Sequence, residues 1–146
     1  MNLSPEGEAF IKDYEKLALT CYQDSAGFWT VGFGHRIPSD QGTITEDDAE
    51  TYFLKDVSQI EDMLDFFNLP MSQQQFDALT SFAFNLGVNA LRNSTLLKKF
   101  KTGDIGGAAE EFVKWDHAGG VELEGLKKRR LAEKNIFLNG IYDSSH

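Results

Sequence analysis

The stretch Glu15-Lys16-Leu17-Ala18-Leu19-Thr20-Cys21-Tyr22-Gln23-Asp24-Ser25-Ala26-Gly27-Phe28-Trp29-Thr30-Val31-Gly32-Phe33-Gly34-His35 decides how the rest of the chain is read. Just before it, Phe10, Ile11, Tyr14 and Leu17 recur at helical spacing, so Glu15 falls where an amphipathic helix ends. Ser4 can cap that helix, Pro5 suits its first position and Glu8 lies near its positive end, which predicts a helix from Pro5 to Tyr14 or Glu15. Past Glu15 the pattern changes. Leu19-Thr20-Cys21-Tyr22 is β-like, Asp24-Ser25-Ala26-Gly27 is a turn, and residues 28–35 read as a second strand. Arg36-Ile37 leads into a turn at Pro38-Ser39-Asp40-Gln41-Gly42 before Thr43-Ile44. A helix end, a turn and a small antiparallel sheet can thus gather two carboxylates, Glu15 and Asp24, and one hydroxyl, Thr30, around a single cleft.

A sheet this small needs helices against it, and the chain supplies them. Thr45 with Glu46, Asp47 and Asp48 opens a long helix over about 46–66, closed by Asn68-Leu69-Pro70-Met71. Ser72 and Gln75 form a capping box, and Phe76, Leu79, Ala83 and Leu86 make the buried stripe of the helix that follows, with Gly87 at its end. Further helices are expected from Thr95 to Phe100, from Ile105 to Trp115 and from Leu126 to Leu138, with a loop at Asp116-His117-Ala118-Gly119-Gly120. No internal repeat or low-complexity tract interrupts them. The expected architecture is α+β: one domain over 1–146, a β lobe at about 18–44, a mainly helical lobe at about 67–140, and the long helix joining them.

Composition narrows the function classes. The chain has 146 residues and a formal charge of −9. Residues 1–70 carry 4 Lys/Arg against 14 Asp/Glu, and residues 71–146 carry 10 against 9. That is no basic stripe, so nucleic-acid binding is not expected; Lys127-Lys128-Arg129-Arg130 is short and lies in a helical context. Cys21 stands alone and excludes an intrachain disulfide. The first residues show neither a basic n-region nor an apolar run, and no stretch approaches the roughly 20 apolar residues of a membrane span. His35, His117 and His146 lack ligand spacing, and Gly32-Phe33-Gly34 lacks the third glycine and following helix of a dinucleotide fingerprint, so no metal or cofactor is expected.

The chain resembles the phage-type lysozymes, the muramidase family of tailed-bacteriophage endolysins. The resemblance rests on three blocks in order, covering about residues 5–140. The first is Glu15, eight residues, Asp24, five residues, Thr30, continuing through Val31, Gly32, Phe33, Gly34 and His35. The second runs from Gln74 to Gly87. The third runs from Trp115 to Gly120 and from Gly125 through Arg130 to Glu133. Two features depart from it: Lys16 stands where many members have glycine, and the chain is acidic where members are often basic.

The resemblance implies a lysozyme-like fold and hydrolysis of the β-1,4 link between N-acetylmuramic acid and N-acetylglucosamine. Such a cut needs a proton donor on one side of the bond and an activated water on the other. Glu15 suits the acid, because a helix C-terminus and apolar neighbours such as Tyr22 and Phe33 disfavour its charge. Asp24, in an open turn, suits the base or electrostatic stabiliser, and Thr30 can hold water beside it. The family reading is inversion, with the carboxylates ~6.5–9.5 Å apart. It also implies an arginine partner for Glu15, Arg129 or Arg130. Phe33 and Gly34 are expected to line the cleft, and Asn85 to meet substrate or fill a capping or core polar role. His35 is expected to brace the β lobe against an acid on the long helix, and Trp115 to belong to the core. A monomer is expected, made in the host cytoplasm and released to the wall by a separate holin. The alternatives are a weakly active, peptidoglycan-binding or tail-associated relative, and a lytic transglycosylase on the same scaffold.

Overall fold

The computed structural model describes residues 1–118 and 121–146. Helix α1 (Pro5–Glu15) starts where Ser4 accepts a hydrogen bond from the Gly7 N–H, and it buries Phe10 and Ile11. It stops at Lys16, whose backbone turns to φ 60°, ψ 152° while its N–H still donates to the Lys12 carbonyl. The chain then runs straight into β1 (Ala18–Gln23), which pairs antiparallel with β2 (Trp29–Gly32), itself paired with β3 (His35–Arg36). Residues 28–35 are therefore not one strand. Gly32 and Gly34 take φ 69° and 73°, outside the extended region, and the chain reverses between them. Residues 42–44 add a flanking bridge, with the Cys21 N–H donating to Gly42 and the Ile44 N–H to Leu19.

Helix α2 (Glu46–Phe67) carries the expected capping box, Thr45 with Asp48, and is about 33 Å long at 1.5 Å per residue. Its buried residues, Ala49, Phe53, Val57, Ile60, Met63 and Leu64, lie on one face, and Asn68 ends it in the left-handed conformation. Helix α3 (Gln73–Leu86) is the centre of the helical lobe. Every residue from Phe76 to Ala83 is buried, so this helix is enclosed all round rather than amphipathic. It packs on α1, on α2, on α4 (Val88–Arg92) and most extensively on α7 (Glu124–Asn139).

Helices α5 (Thr95–Lys101) and α6 (Ile105–Phe112) complete the lobe. The helix expected to reach Trp115 ends at Phe112, and the short α4 has too few residues to announce itself by periodicity. Where a loop was expected, β4 (His117–Ala118) pairs with β5 (Val121–Glu122); Gly119 and Gly120 of that loop lie outside the described residues. Phe82 anchors the core, meeting Phe112 edge-on at 5.6 Å between ring centroids; Trp115, expected in the core, also meets Phe82 edge-on at 5.5 Å but is 36% exposed, because α6 ends before it at Phe112. Truncating the enclosed Phe82 ring to alanine costs about 3–5 kcal/mol. Buried Asp77 fastens the ends together: it accepts from the Ser4 N–H at 3.1 Å, the Gln73 amide at 2.8 Å and the Tyr142 hydroxyl at 2.6 Å, and from the Ser4 hydroxyl.

Candidate active site

A cleft of about 610 Å³ lies between the two lobes. Glu15, Asp24 and Thr30 all line it, together with Tyr22, Gly34, His35, Arg36, Asp56, Asn85 and His117. The three reactive groups arrive by different routes. Glu15 is the last residue of α1. Asp24 opens the β1–β2 turn, in which its N–H donates to the Phe28 carbonyl. Thr30 sits on β2 between Tyr22 on β1 and Arg36 on β3, its directly opposed neighbours. Opposed residues of an antiparallel pair share a face, so Tyr22, Thr30 and Arg36 form one row looking into the cleft.

Each group is held by the protein at one point and keeps hydrogen-bonding capacity at another. Glu15 Oε2 accepts from Arg129 Nη1 at 2.7 Å. Its Oε1 lies beside Gly34, where a Cβ would stand 2.6 Å away, so a side chain there would force the Glu15 carboxyl to move. Asp24 Oδ1 accepts the N–H groups of Ala26 and Phe28, both at 2.9 Å, which fixes the carboxylate, while Oδ2 has only a 3.9 Å charge contact with Arg36 Nη2. Thr30 Oγ1 donates to the Phe28 carbonyl at 3.0 Å, which leaves its lone pairs as the available function. Burial pushes the Tyr22 phenol up, and the nearby Glu15 and Asp24 charges push it the same way.

Behind Glu15 lies an ionic knot. Arg129 Nε donates to Glu133 Oε2 at 3.3 Å, and its Nη2 reaches the Ser81 carbonyl at 3.3 Å. Arg130 donates to Glu133 Oε2 at 3.2 Å and to Asn85 Oδ1 at 2.8 Å, while its Nε lies 2.7 Å from Glu133 Oε1 off the hydrogen-bonding line. Arg129, Arg130 and Glu133 are all buried. Two guanidinium groups and two carboxylates balance there, which is what so buried a cluster requires. Burial works against the Arg130 charge, and Glu133 opposes that effect.

Of the two arginines expected as partners, Arg129 meets Glu15, and Arg130 supports the knot from behind. Asn85 does two things at once, lining the cleft and accepting from Arg130. His35 Nδ1 lies 2.8 Å from Asp56 Oδ2 on α2, and its ring stacks on Tyr52 with 4.3 Å between centroids. Phe33 requires a correction. It is absent from the cleft lining and packs edge-on against Phe53, with the Lys12 ammonium 5.0 Å from its ring centroid. The reversal between Gly32 and Gly34 turns it towards the core. Lys16 is exposed, and the ion pair of Glu15 is made with Arg129. Ser81 and Glu133 fall within the matching blocks but carry no expected role at the site, and Arg36 reads in the sequence only as leading into a turn. The spacing of Arg129, Arg130 and Glu133 by three and four residues on one helix was the available signal for the knot.

The chain matches the phage lysozyme family over residues 12–133. It belongs to that family. This member is 43% identical over 143 residues to an endolysin of Acyrthosiphon pisum secondary endosymbiont phage 1, across 94% of this chain and 98% of that one. Among solved structures it is similar to an endolysin from Escherichia coli O157:H7 phage FAHEc1, with 36% identity, a TM-score of 0.84 and coverage of 98% and 97% of the two chains. It is also similar to the muramidase domain of SpmX from Asticaccaulis excentricus, at 32% identity and a TM-score of 0.84 over 94% and 97%. The lysozyme-like α+β fold follows from these likenesses together with the three-stranded sheet and the helical lobe.

Proposed function

We propose that this phage lysozyme cuts the β-1,4 bond between N-acetylmuramic acid and N-acetylglucosamine with inversion, using Glu15 as general acid and Asp24 with Thr30 to hold the attacking water. Peptidoglycan hydrolysis as such follows from the family, making the chain a lysozyme-type glycoside hydrolase. The observation that carries the finer reading is the set of open atoms in one cleft: Glu15 Oε1, Asp24 Oδ2 and the Thr30 lone pairs.

The chemistry follows from those atoms. Arg129 engages Oε2 of Glu15, so Oε1 is the oxygen placed to pass a proton to the departing sugar oxygen. A water between Asp24 and Thr30 meets two acceptors, since the threonine proton is engaged by the Phe28 carbonyl. The water donates one hydrogen to Asp24 Oδ2 and the other to Thr30 Oγ1, which turns its lone pair outward to the anomeric carbon. As the bond to carbon forms, the proton passes to Asp24 and the leaving oxygen takes the proton of Glu15. General acid–base help of this kind is worth about 10²–10⁴ in rate.

A lytic transglycosylase would use the sugar's own hydroxyl and have no work for Asp24 and Thr30, which favours hydrolysis. Delivery to the wall by a holin, a cytoplasmic origin in the host and action as a monomer belong to the same proposal. The test is product analysis on purified peptidoglycan. Hydrolysis leaves reducing ends one water heavier than the anhydro product, and both Glu15→Gln and Asp24→Asn reduce clearing of wall suspensions by at least about a hundredfold. Undiminished clearing by Glu15→Gln would refute the proposal.

A further inference from the structure

We infer that Arg36 selects the substrate by receiving a carboxylate carried on the muramic acid, either on its lactyl group or on the peptide attached there. The inference rests on the peptidoglycan reading above and names which part of that polymer the β lobe recognises.

Arg36 is the one lysine or arginine among the described residues lining the cleft, whose acidic residues are Glu15, Asp24 and Asp56. An anionic polymer entering that cleft therefore meets attraction at one place. The guanidinium is held in readiness there: its Cζ lies 4.0 Å over the Phe28 ring, and β3 fixes its backbone opposite Thr30. Its nearest carboxylate oxygen, Asp24 Oδ2, is 3.9 Å away, which is a charge contact and not a hydrogen bond. Asp24 does not depend on it for orientation, because the Ala26 and Phe28 N–H groups already hold Oδ1. Arg36 is itself 62% exposed at the side chain. A planar fork lying over an aromatic ring, on a residue that lines the groove, matches a carboxylate in a way that a lysine ammonium does not. Its place beside Thr30 puts that carboxylate next to the reacting sugar, where muramic acid and no other sugar of the strand bears one.

The test crosses Arg36→Gln with chemical amidation of the wall carboxylates. Wild type prefers native over amidated walls by about tenfold, through KM and with kcat nearly unchanged. Arg36→Gln loses that preference, and Arg36→Lys keeps part of it. The same cycle is read as binding, by measuring Kd of the Glu15→Gln protein, with and without Arg36→Gln, for the soluble disaccharide and the disaccharide-peptide, each native and amidated. Loss of selectivity for the peptide-free disaccharide assigns the lactyl carboxylate, and loss for the disaccharide-peptide alone assigns the peptide. Equal native-to-amidated ratios with and without Arg36 would overturn the inference, as would a loss confined to kcat, which would make Arg36 a support for Asp24. Should Glu15→Gln prove fully active, the catalytic reading fails while the binding cycle still reports on Arg36.

Discussion

Gly34 offers the sharpest test of how the acid is held. Replacing it with alanine imposes two separate penalties. The first is conformational: at φ 73° a residue with a Cβ costs about 1–2 kcal/mol. The second falls on Glu15. The new Cβ would stand 2.6 Å from Oε1, whereas ordinary contact begins at 3.4 Å, so the carboxyl must retreat by about 0.8 Å. Arg129, at 2.7 Å from the other oxygen and itself buried in the knot, leaves little freedom for a compensating move. A displacement near 1 Å of a catalytic group costs about 10²-fold in rate.

The two penalties can be separated with Gly42, which has φ 79° and nothing within 4 Å of its Cβ position. Gly42→Ala meets the conformational cost alone. Both variants should therefore melt roughly 3–6 °C below wild type, at about 3 °C per kcal/mol for a chain of this size. Only Gly34→Ala should also lose about 10²-fold in the rate of wall clearing, measured well below either melting temperature. Wild-type clearing by Gly34→Ala, or an equal loss in Gly42→Ala, would refute the packing of Glu15 against this glycine.

Three further expectations follow from the same geometry. Lys16 sits at φ 60°, ψ 152°, a region that costs a side-chain-bearing residue about 1–3 kcal/mol; Lys16→Gly should raise the melting temperature after glycine's own ~0.5–1 kcal/mol entropic cost, while Lys16→Ala should not, and a fall on Lys16→Gly would count against the strain. The Tyr142 phenol is pushed well above its ordinary 10.0, first by burial and then by its hydrogen bond to Asp77, and Tyr14 and Tyr22 shift the same way. Folding therefore favours the neutral phenols: that contribution is complete below pH ~10 and is lost as pH rises beyond it, so urea midpoints should fall there and Tyr142→Phe should flatten the fall. Finally, with Glu15, Asp24 and Asp56 lining the cleft and the first 70 residues strongly acidic, clearing of anionic walls should rise from the lowest salt to a moderate optimum; a monotonic decline from the lowest salt would contradict this.

Local chemistry was legible in the chain wherever neighbours in sequence are neighbours in space. The caps at Ser4, Thr45 and Ser72, the turn at Asp24 and the ends of α1, α2 and α3 all depend on contacts three or four residues apart. What could not be read was register and fold-back. Residues 28–35 look like one strand because Trp29, Val31 and Phe33 alternate with smaller residues, and only the backbone signs at Gly32 and Gly34 reveal the reversal that sends Phe33 inward. The importance of Arg36 depends on its standing opposite Thr30, a pairing that no local pattern specifies. The choice between Arg129 and Arg130 likewise depended on the rotation of α7 against α3, and adjacent helical residues point about 100° apart.

Lys16 shows how a departure from a family pattern can be misplaced when read as chemistry. As a charge beside the acid, it could pair with Glu15 and hold it ionised or simply face solvent, and the exposed residue found fits the second. In the structure its meaning is conformational. The chain leaves α1 at Glu15 and enters β1 at Ala18, so the intervening backbone must turn through a positive φ, a demand that glycine meets without strain. The lysine meets the same demand at a cost, keeps the N–H bond to Lys12 that closes the helix, and leaves its ammonium on an exposed residue. The charge that does act on Glu15 comes from Arg129, 114 residues away, and is held by Glu133 and Ser81. Activity and stability should consequently separate at Lys16 and fall together at Arg129. Substituting Lys16 changes the folding equilibrium with little effect on clearing, whereas Arg129→Met removes a partner from the buried knot and lowers both, the stability by about 3–5 kcal/mol.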